Sequence, residues 1–179
     1  MISMKFNTVI NGNSDTILKE FKEAGIKFDL ICTDPPYNLN KDFGNDSDKL
    51  ELDEFLRVTE NRITLCRDLL TPNGSIIWFG IHHYIGFIQT IMYKVGLYYR
   101  RMNIWYYENG FSRSSKSPLT QYEPFLWFSK SKTKWVYNVD DVRVPYKSTQ
   151  RLKNPVYYKG KNGERKEWKP NPNGAMRGD

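Results

Sequence analysis

With 179 residues and a net charge of +7, the chain is long enough for one sizeable core and an appendage. No apolar run is long enough to cross a bilayer and no signal-like amino terminus is present, so a soluble, cytoplasmic protein is expected. Cys32 and Cys66 have no metal-ligand spacing and sit in apolar-periodic surroundings, which argues against a disulfide scaffold and for buried, reduced thiols.

Lys5 to Ile10 has the pattern of a short strand. Asn11-Gly12-Asn13-Ser14 is turn chemistry leading into a helix from Asp15 to Ala24, which Gly25 stops. Residues 28–33 are a short apolar, β-branched run that halts at Asp34-Pro35-Pro36-Tyr37, as a buried strand closed by a rigid turn would. A strand, a turn, a helix and a strand in this order make an α/β unit, and in open α/β sheets ligands bind where the strands end.

Residues 38–50 form a polar loop whose composition suggests motion. Leu52, Phe55, Leu56, Ile63, Leu65, Leu69 and Leu70 recur at largely helical spacing, so an amphipathic helix is expected over 51–70, ended by Pro72-Asn73-Gly74. Ser75 to Ile81 follows as a second buried strand, and His82, His83 and Tyr84 lead into a helix running to Lys94. Adjacent histidines on a helix point in different directions, and no acidic or thiol partner is near in sequence, so no metal site is expected. Leu97 to Tyr107 is a third strand, 110–120 a loop, and Glu123 to Phe128 a fourth strand.

Past Ser129 the character changes. Strand-like pieces at Trp135-Val136-Tyr137 and Val142-Arg143-Val144 precede a polar stretch carrying Lys147, Arg151, Lys153, Lys159, Lys161, Arg165, Lys166 and Lys169. Tyr146, Tyr157, Tyr158 and Trp168 are interleaved with these cations, a mixture suited to a nucleic-acid backbone and splayed bases. Charge follows the same division: residues 1–99 carry 10 Lys and Arg against 13 Asp and Glu, and residues 100–179 carry 17 against 7. A polyanion is the expected partner of the basic half, and a merely well-solvated surface is the alternative. Residues 1–130 are therefore assigned to an α/β catalytic half, and residues 131–179 to a basic, loosely ordered recognition region.

The turn after residue 33 has a chemical use. An exocyclic amine on a nucleobase is a poor nucleophile because its lone pair is delocalised into the ring, so a catalyst must accept its N–H hydrogens and hold its plane. Asp34 can accept one, and the carbonyl of Pro35 another. Pro36 holds the turn, and Tyr37 can stack on a base swung out of the duplex.

Asp34-Pro35-Pro36-Tyr37, with an apolar strand before it and Asn38 after it, resembles the signature of the amino-group DNA methyltransferases. By chance this tetrapeptide would arise in roughly one chain in a thousand of this length. The resemblance implies a partial Rossmann-like sheet with helices on its faces, S-adenosylmethionine as cofactor, double-stranded DNA as partner, and a place in a restriction-modification system. It implies catalytic roles for Asp34, Pro35, Pro36 and Tyr37. For the cofactor it points to Asp34 and, through the turn after the first strand, to Asn13 and Ser14, whose other reading is a helix cap. Trp105, Arg113 and Tyr122-Glu123-Pro124-Phe125-Leu126-Trp127 resemble the family's region beside the flipped base. Arg113, Lys116, Arg143, Arg151 and Lys153 are the candidate DNA contacts, with loop solubility as the alternative for Arg113 and Lys116.

In the family subgroup with this order, a glycine-rich strand end that cradles S-adenosylmethionine follows the recognition region, and none occurs within these 179 residues. An unpaired sheet edge and weak cofactor binding are therefore expected, with a second polypeptide or an oligomer supplying what completes the site. The first residue of the signature favours adenine N6 over cytosine N4. The remaining alternatives are a non-catalytic DNA-binding half of a split enzyme and amino-group methylation of RNA or protein.

Overall fold

The structure, a computed structural model, describes residues 7–41, 48–110, 116, 118–148 and 150–176, and the backbone alone at Arg151. The chain divides into two compact units, Met1–Val136 and Tyr137–Asp179.

The first unit is built from α1 (Ser14–Glu23), β1 (Phe28–Thr33), α2 (Leu52–Leu69), β2 (Leu70–Phe79), α3 (Ile85–Lys94), β3 (Tyr98–Tyr106) and β4 (Tyr122–Ser129). Its four strands form one sheet in the order β1-β2-β4-β3. β1 and β2 run parallel, in the register Ile31 to Ile76 and Thr33 to Trp78. β4 is antiparallel to both of its neighbours, with Trp78 opposite Leu126 and Met102 opposite Leu126 on the other side.

Strand alternation explains where the core lies. Ile76 and Trp78 of β2 and Leu126 and Phe128 of β4 point to one face, where they meet Ile63 and Cys66 of α2 and Ile88, Ile91 and Met92 of α3. Leu18 of α1 joins the same cluster. Their neighbours Ile77, Phe79, Phe125 and Trp127 point the other way and are only half-buried. Among the described residues, β1 is paired along one side only, and Leu30 on it is 58% exposed.

Helix starts and stops follow local chemistry. The Asn13 side-chain oxygen accepts the backbone N–H groups of Asp15 and Thr16, capping α1. Gly25, at φ +71°, ends that helix in the left-handed conformation that glycine adopts freely. Arg62 on α2 donates twice to Asp15, at 2.8 and 3.1 Å, and so ties α1 down. Replacing Asn13 with Ala is expected to cost about 1 kcal/mol, read as a fall in the midpoint of denaturant unfolding.

Four local expectations are corrected. Residues 7–10 form no strand, while Lys5 and Phe6 lie outside the described residues. β2 begins at Leu70, ahead of Pro72-Asn73-Gly74, because fully buried Leu70 pairs with Phe28 before the ladder resumes at Leu30 and Ser75. The turn residues thus bulge within the strand, where the carbonyls of Leu70 and Gly74 both accept hydrogen bonds from Lys130. Cys32 is exposed, since it alternates onto the sheet face away from the helices, whereas Cys66 is buried and its thiol is pushed up to about 12 by desolvation. Residues 134–138 are irregular.

The second unit carries a 3-10 turn, Val139–Val142, then β5 (Arg143–Val144), α4 (Gln150–Lys153), β6 (Val156–Lys159), β7 (Arg165–Trp168) and β8 (Ala175–Met176). β5 pairs with β8 and β6 with β7, both antiparallel. Gly174 sits at φ +103°, and a Cβ there would lie 2.6 Å from the Val144 carbonyl, so the close strand approach requires glycine.

Candidate active site

The parallel strands β1 and β2 end side by side, and the antiparallel β4 begins beside β2. Gly80, just past β2, donates its N–H to the Pro124 carbonyl at 3.1 Å, which brings Glu123 to the same end of the sheet as Asp34. The turn Pro35-Pro36-Tyr37 lines a small, mainly apolar pocket together with Phe55, Trp78, Phe79, Tyr84 and Ile88, with Thr59 and Arg62 also at its wall. Neither proline has an N–H with which to anchor the segment.

Beyond Tyr37 the chain is clamped by side chains. Asn38 adopts φ 61°, a left-handed conformation that Asn tolerates. Its amide donates to the Leu50 carbonyl and accepts from the Leu50 N–H. Asp48 accepts the backbone N–H groups of Leu39 and Lys41, at 3.0 and 2.7 Å. The Asp48 N–H also donates to the Lys41 carbonyl at 3.2 Å, so five hydrogen bonds among the described residues close the neck of the polar loop, and residues 42–47 lie outside the described residues.

A cleft of about 440 Å³ opens over this turn, lined by Asp34, Pro35, Pro36, Tyr37, Leu39, Lys41, Asp48 and Glu123. The Tyr37 hydroxyl donates to Asp34 Oδ1, tying the aromatic ring to the carboxylate and leaving Oδ2 as an acceptor. Desolvation raises the Tyr37 pKa above its ordinary value, and the hydrogen bond to Asp34 and the charges of Asp34 and Glu123 raise it further. The phenol therefore keeps its proton through the neutral range. No Ser, Thr or Cys lines this cleft among the described residues.

The four expected catalytic residues are therefore together. Asn13 and Ser14 are at the start of α1, with the Asn13 oxygen engaged by the helix cap, and neither lines the cleft. Lys116 is exposed, and Arg113 lies outside the described residues. In the second unit Arg143 donates to Asp140 at 2.6 Å and to the Gly174 carbonyl at 3.1 Å, which leaves its side chain 12% exposed. Lys153 is exposed on α4, and the Arg151 side chain lies outside the described residues. Glu123, expected only as part of the segment beside the flipped base, lines the cleft, and a single acid in the apolar run Tyr122-Glu123-Pro124-Phe125-Leu126-Trp127 is the signal that marks it.

For S-adenosylmethionine, the fit rests on charge. Among the described lining residues, the acids Asp34, Asp48 and Glu123 outnumber the cation Lys41, so the cleft suits a positively charged group. Its walls are side chains rather than a glycine-rich backbone cradle.

Residues 28–174 match the family model of the N6/N4 DNA methylases. Over 148 residues the chain is 34% identical to the type II methyltransferase M.HpaI of Haemophilus parainfluenzae, an alignment covering 82% of this chain and 46% of that protein. It is 33% identical over 178 residues to the type II methyltransferase M1.MboII of Moraxella bovis, covering 98% of this chain and 65% of that one. The chain thus spans about half to two thirds of the length of these relatives. The crystal structure of an M1.HpyAVI–SAM complex superposes with a TM-score of 0.54 at 27% identity, covering 72% of this chain and 57% of that chain. A match that runs from the first residue of β1 to Gly174, and so takes in both compact units, makes this chain a member of the N6/N4 DNA methylase family.

Proposed function

We propose that this chain carries the catalytic and target-recognition part of a site-specific DNA methyltransferase, acting on adenine N6 within a restriction-modification system. The observation that supports it most is the Asp34 carboxylate, hydrogen-bonded to Tyr37 at the mouth of a cleft where two parallel strands end. Asp34 Oδ2 accepts one hydrogen of the target amine and the Pro35 carbonyl the other, which turns the nitrogen lone pair out of the base plane. Tyr37 stacks on the extruded base, and the Pro35-Pro36 pair keeps the turn from drifting. S-adenosylmethionine, when bound, supplies an electrophilic methyl group on a cationic sulfur. Asp34 is the cofactor-facing acid, and Asn13 retains its two amide hydrogens for a ligand while its oxygen caps α1.

Lys116, Arg143 and Lys153, with Arg113 and Arg151, are proposed to contact the duplex. The outer edge of β1, unpaired among the described residues, is where a further strand from a second polypeptide or an oligomer would add.

The test is methyl transfer from labelled S-adenosylmethionine to unmethylated bacterial DNA, followed by digestion to nucleosides. Labelled N6-methyladenine is the expected product. N4-methylcytosine would replace the base assignment, and DNA binding without any label would replace the enzyme with a non-catalytic recognition half.

A further inference from the structure

The second unit holds a preformed two-stranded ribbon whose two faces differ. β6 and β7 pair Tyr157 with Glu167, Tyr158 with Lys166 and Lys159 with Arg165. Gly160 donates its N–H to the Glu164 carbonyl at 2.8 Å, closing a three-residue loop, Lys161-Asn162-Gly163, with Gly163 at φ +80°. Opposed residues share a face. On one face Trp168 meets Tyr146 edge-on at 6.0 Å and Lys166 pairs with Glu164 at 2.7 Å, with Tyr158 exposed between them, so that face is engaged within the unit at Trp168 and its cation is paired with an acid. The other face presents Tyr157, Lys159, Arg165 and Glu167, all exposed. The Arg165 guanidinium lies 3.8 Å over the Tyr157 ring, which holds the cation out from the strand in a fixed place.

We infer that this ribbon enters the major groove of duplex DNA with its Tyr157, Lys159 and Arg165 face against the bases and phosphates. The inference rests on the reading of the chain as a DNA-methylating protein and names the element that holds the DNA. Two strands about 4.8 Å apart, with their side chains, fit a groove about 12 Å wide. A stacked, positioned Arg suits guanine O6 and N7, Glu167 can accept from a cytosine amine, and Lys159 and Lys161 flank them as phosphate cations. The deep, narrow major groove of an RNA duplex would exclude the ribbon.

The experiment is fluorescence anisotropy of the full chain on labelled DNA and RNA duplexes of one mixed sequence, over a salt series. Lys159→Glu/Arg165→Glu is expected to weaken DNA binding about tenfold or more and, through the phosphate cation Lys159, to reduce the log–log salt slope by about one. The charge-matched control Lys19→Glu/Lys132→Glu, on the first unit, and the charge-preserving Lys159→Arg/Arg165→Lys are expected to leave that slope near the parent value. Methyl green, a major-groove ligand, is expected to displace the chain, and netropsin, a minor-groove ligand, to leave it bound. Equal losses in the ribbon and control variants, equal affinity for the RNA duplex, displacement by netropsin alone, or no DNA binding at all would each overturn the inference. Ribbon-dependent binding without methyl transfer would sink the enzymatic reading alone. Methyl transfer with ribbon-insensitive affinity would sink the ribbon alone.

Discussion

Asp34→Ala is expected to lower single-turnover methyl transfer by about 10²–10³-fold, the range seen when one oriented hydrogen-bonding group is removed from a reacting centre. DNA affinity should stay at the parent level, because Asp34 is an anion, and removing it takes no cation from a phosphate. Asp34→Asn gives a finer reading. Its carbonyl can still accept from the amine, but its NH₂ would face a second donor, so an intermediate rate is expected. Tyr37→Phe keeps the stacking ring and removes only the hydroxyl that holds Asp34 Oδ1. A hydrogen bond of this kind contributes about 1 kcal/mol, so a loss of about fivefold is expected, against a larger loss for Tyr37→Ala, which also removes base stacking. Unchanged turnover in Asp34→Ala would sink the assignment of the amine-binding role.

The part of the site that was legible in the sequence is the part that is local. Asp34 to Tyr37 announce themselves because two prolines after an apolar strand dictate both the turn and what it presents. Asn13 was legible as a cap for the same reason, since its oxygen bonds to amides two and three residues on. Glu123 was not, because an acid in a strand acquires meaning only when the topology brings that strand's start beside the turn after β1. Local periodicity carries no information on strand order, and the insertion of β4 between β2 and β3 is what brings Glu123 there.

The misread pieces have the same origin. Pro72-Asn73-Gly74 is turn chemistry by composition, yet the pairing of Leu70 with Phe28 across the sheet draws those residues into a bulge within β2. Cys32 lies in the run Leu30-Ile31-Cys32, whose apolar side chains suggest burial on both faces. It is exposed because the described helices of this unit join one core on the opposite face. Arg143 is not among the misread residues: it remains a proposed DNA contact, and its bonds to Asp140 and Gly174 add a structural tie that no pattern of charge reveals.

The largest loss of stability is expected from Phe128→Ala. Phe128 is fully buried on β4, opposite Ile76 of β2 and Tyr99 of β3, with the rings of Tyr93 and Tyr99 edge-on to it at 5.3 and 5.4 Å. A strand at the sheet's interior has no side on which a cavity can collapse toward solvent, so the upper part of the usual range applies, about 3–5 kcal/mol for a buried Phe→Ala. Against a total stability of about 5–15 kcal/mol, that is enough to lower the unfolding midpoint by roughly 6–20 °C. Phe128→Leu, which fills most of the space and loses the two edge-on ring contacts, should cost well under half as much. The measurement is denaturant unfolding of both variants beside the parent chain, with the slope checked for constancy so that the midpoint reports the folded state. A midpoint shift in Phe128→Ala no larger than in Phe128→Leu would mean that β4 relaxes around the loss, and that the interior position of β4 does not make the sheet depend on this ring.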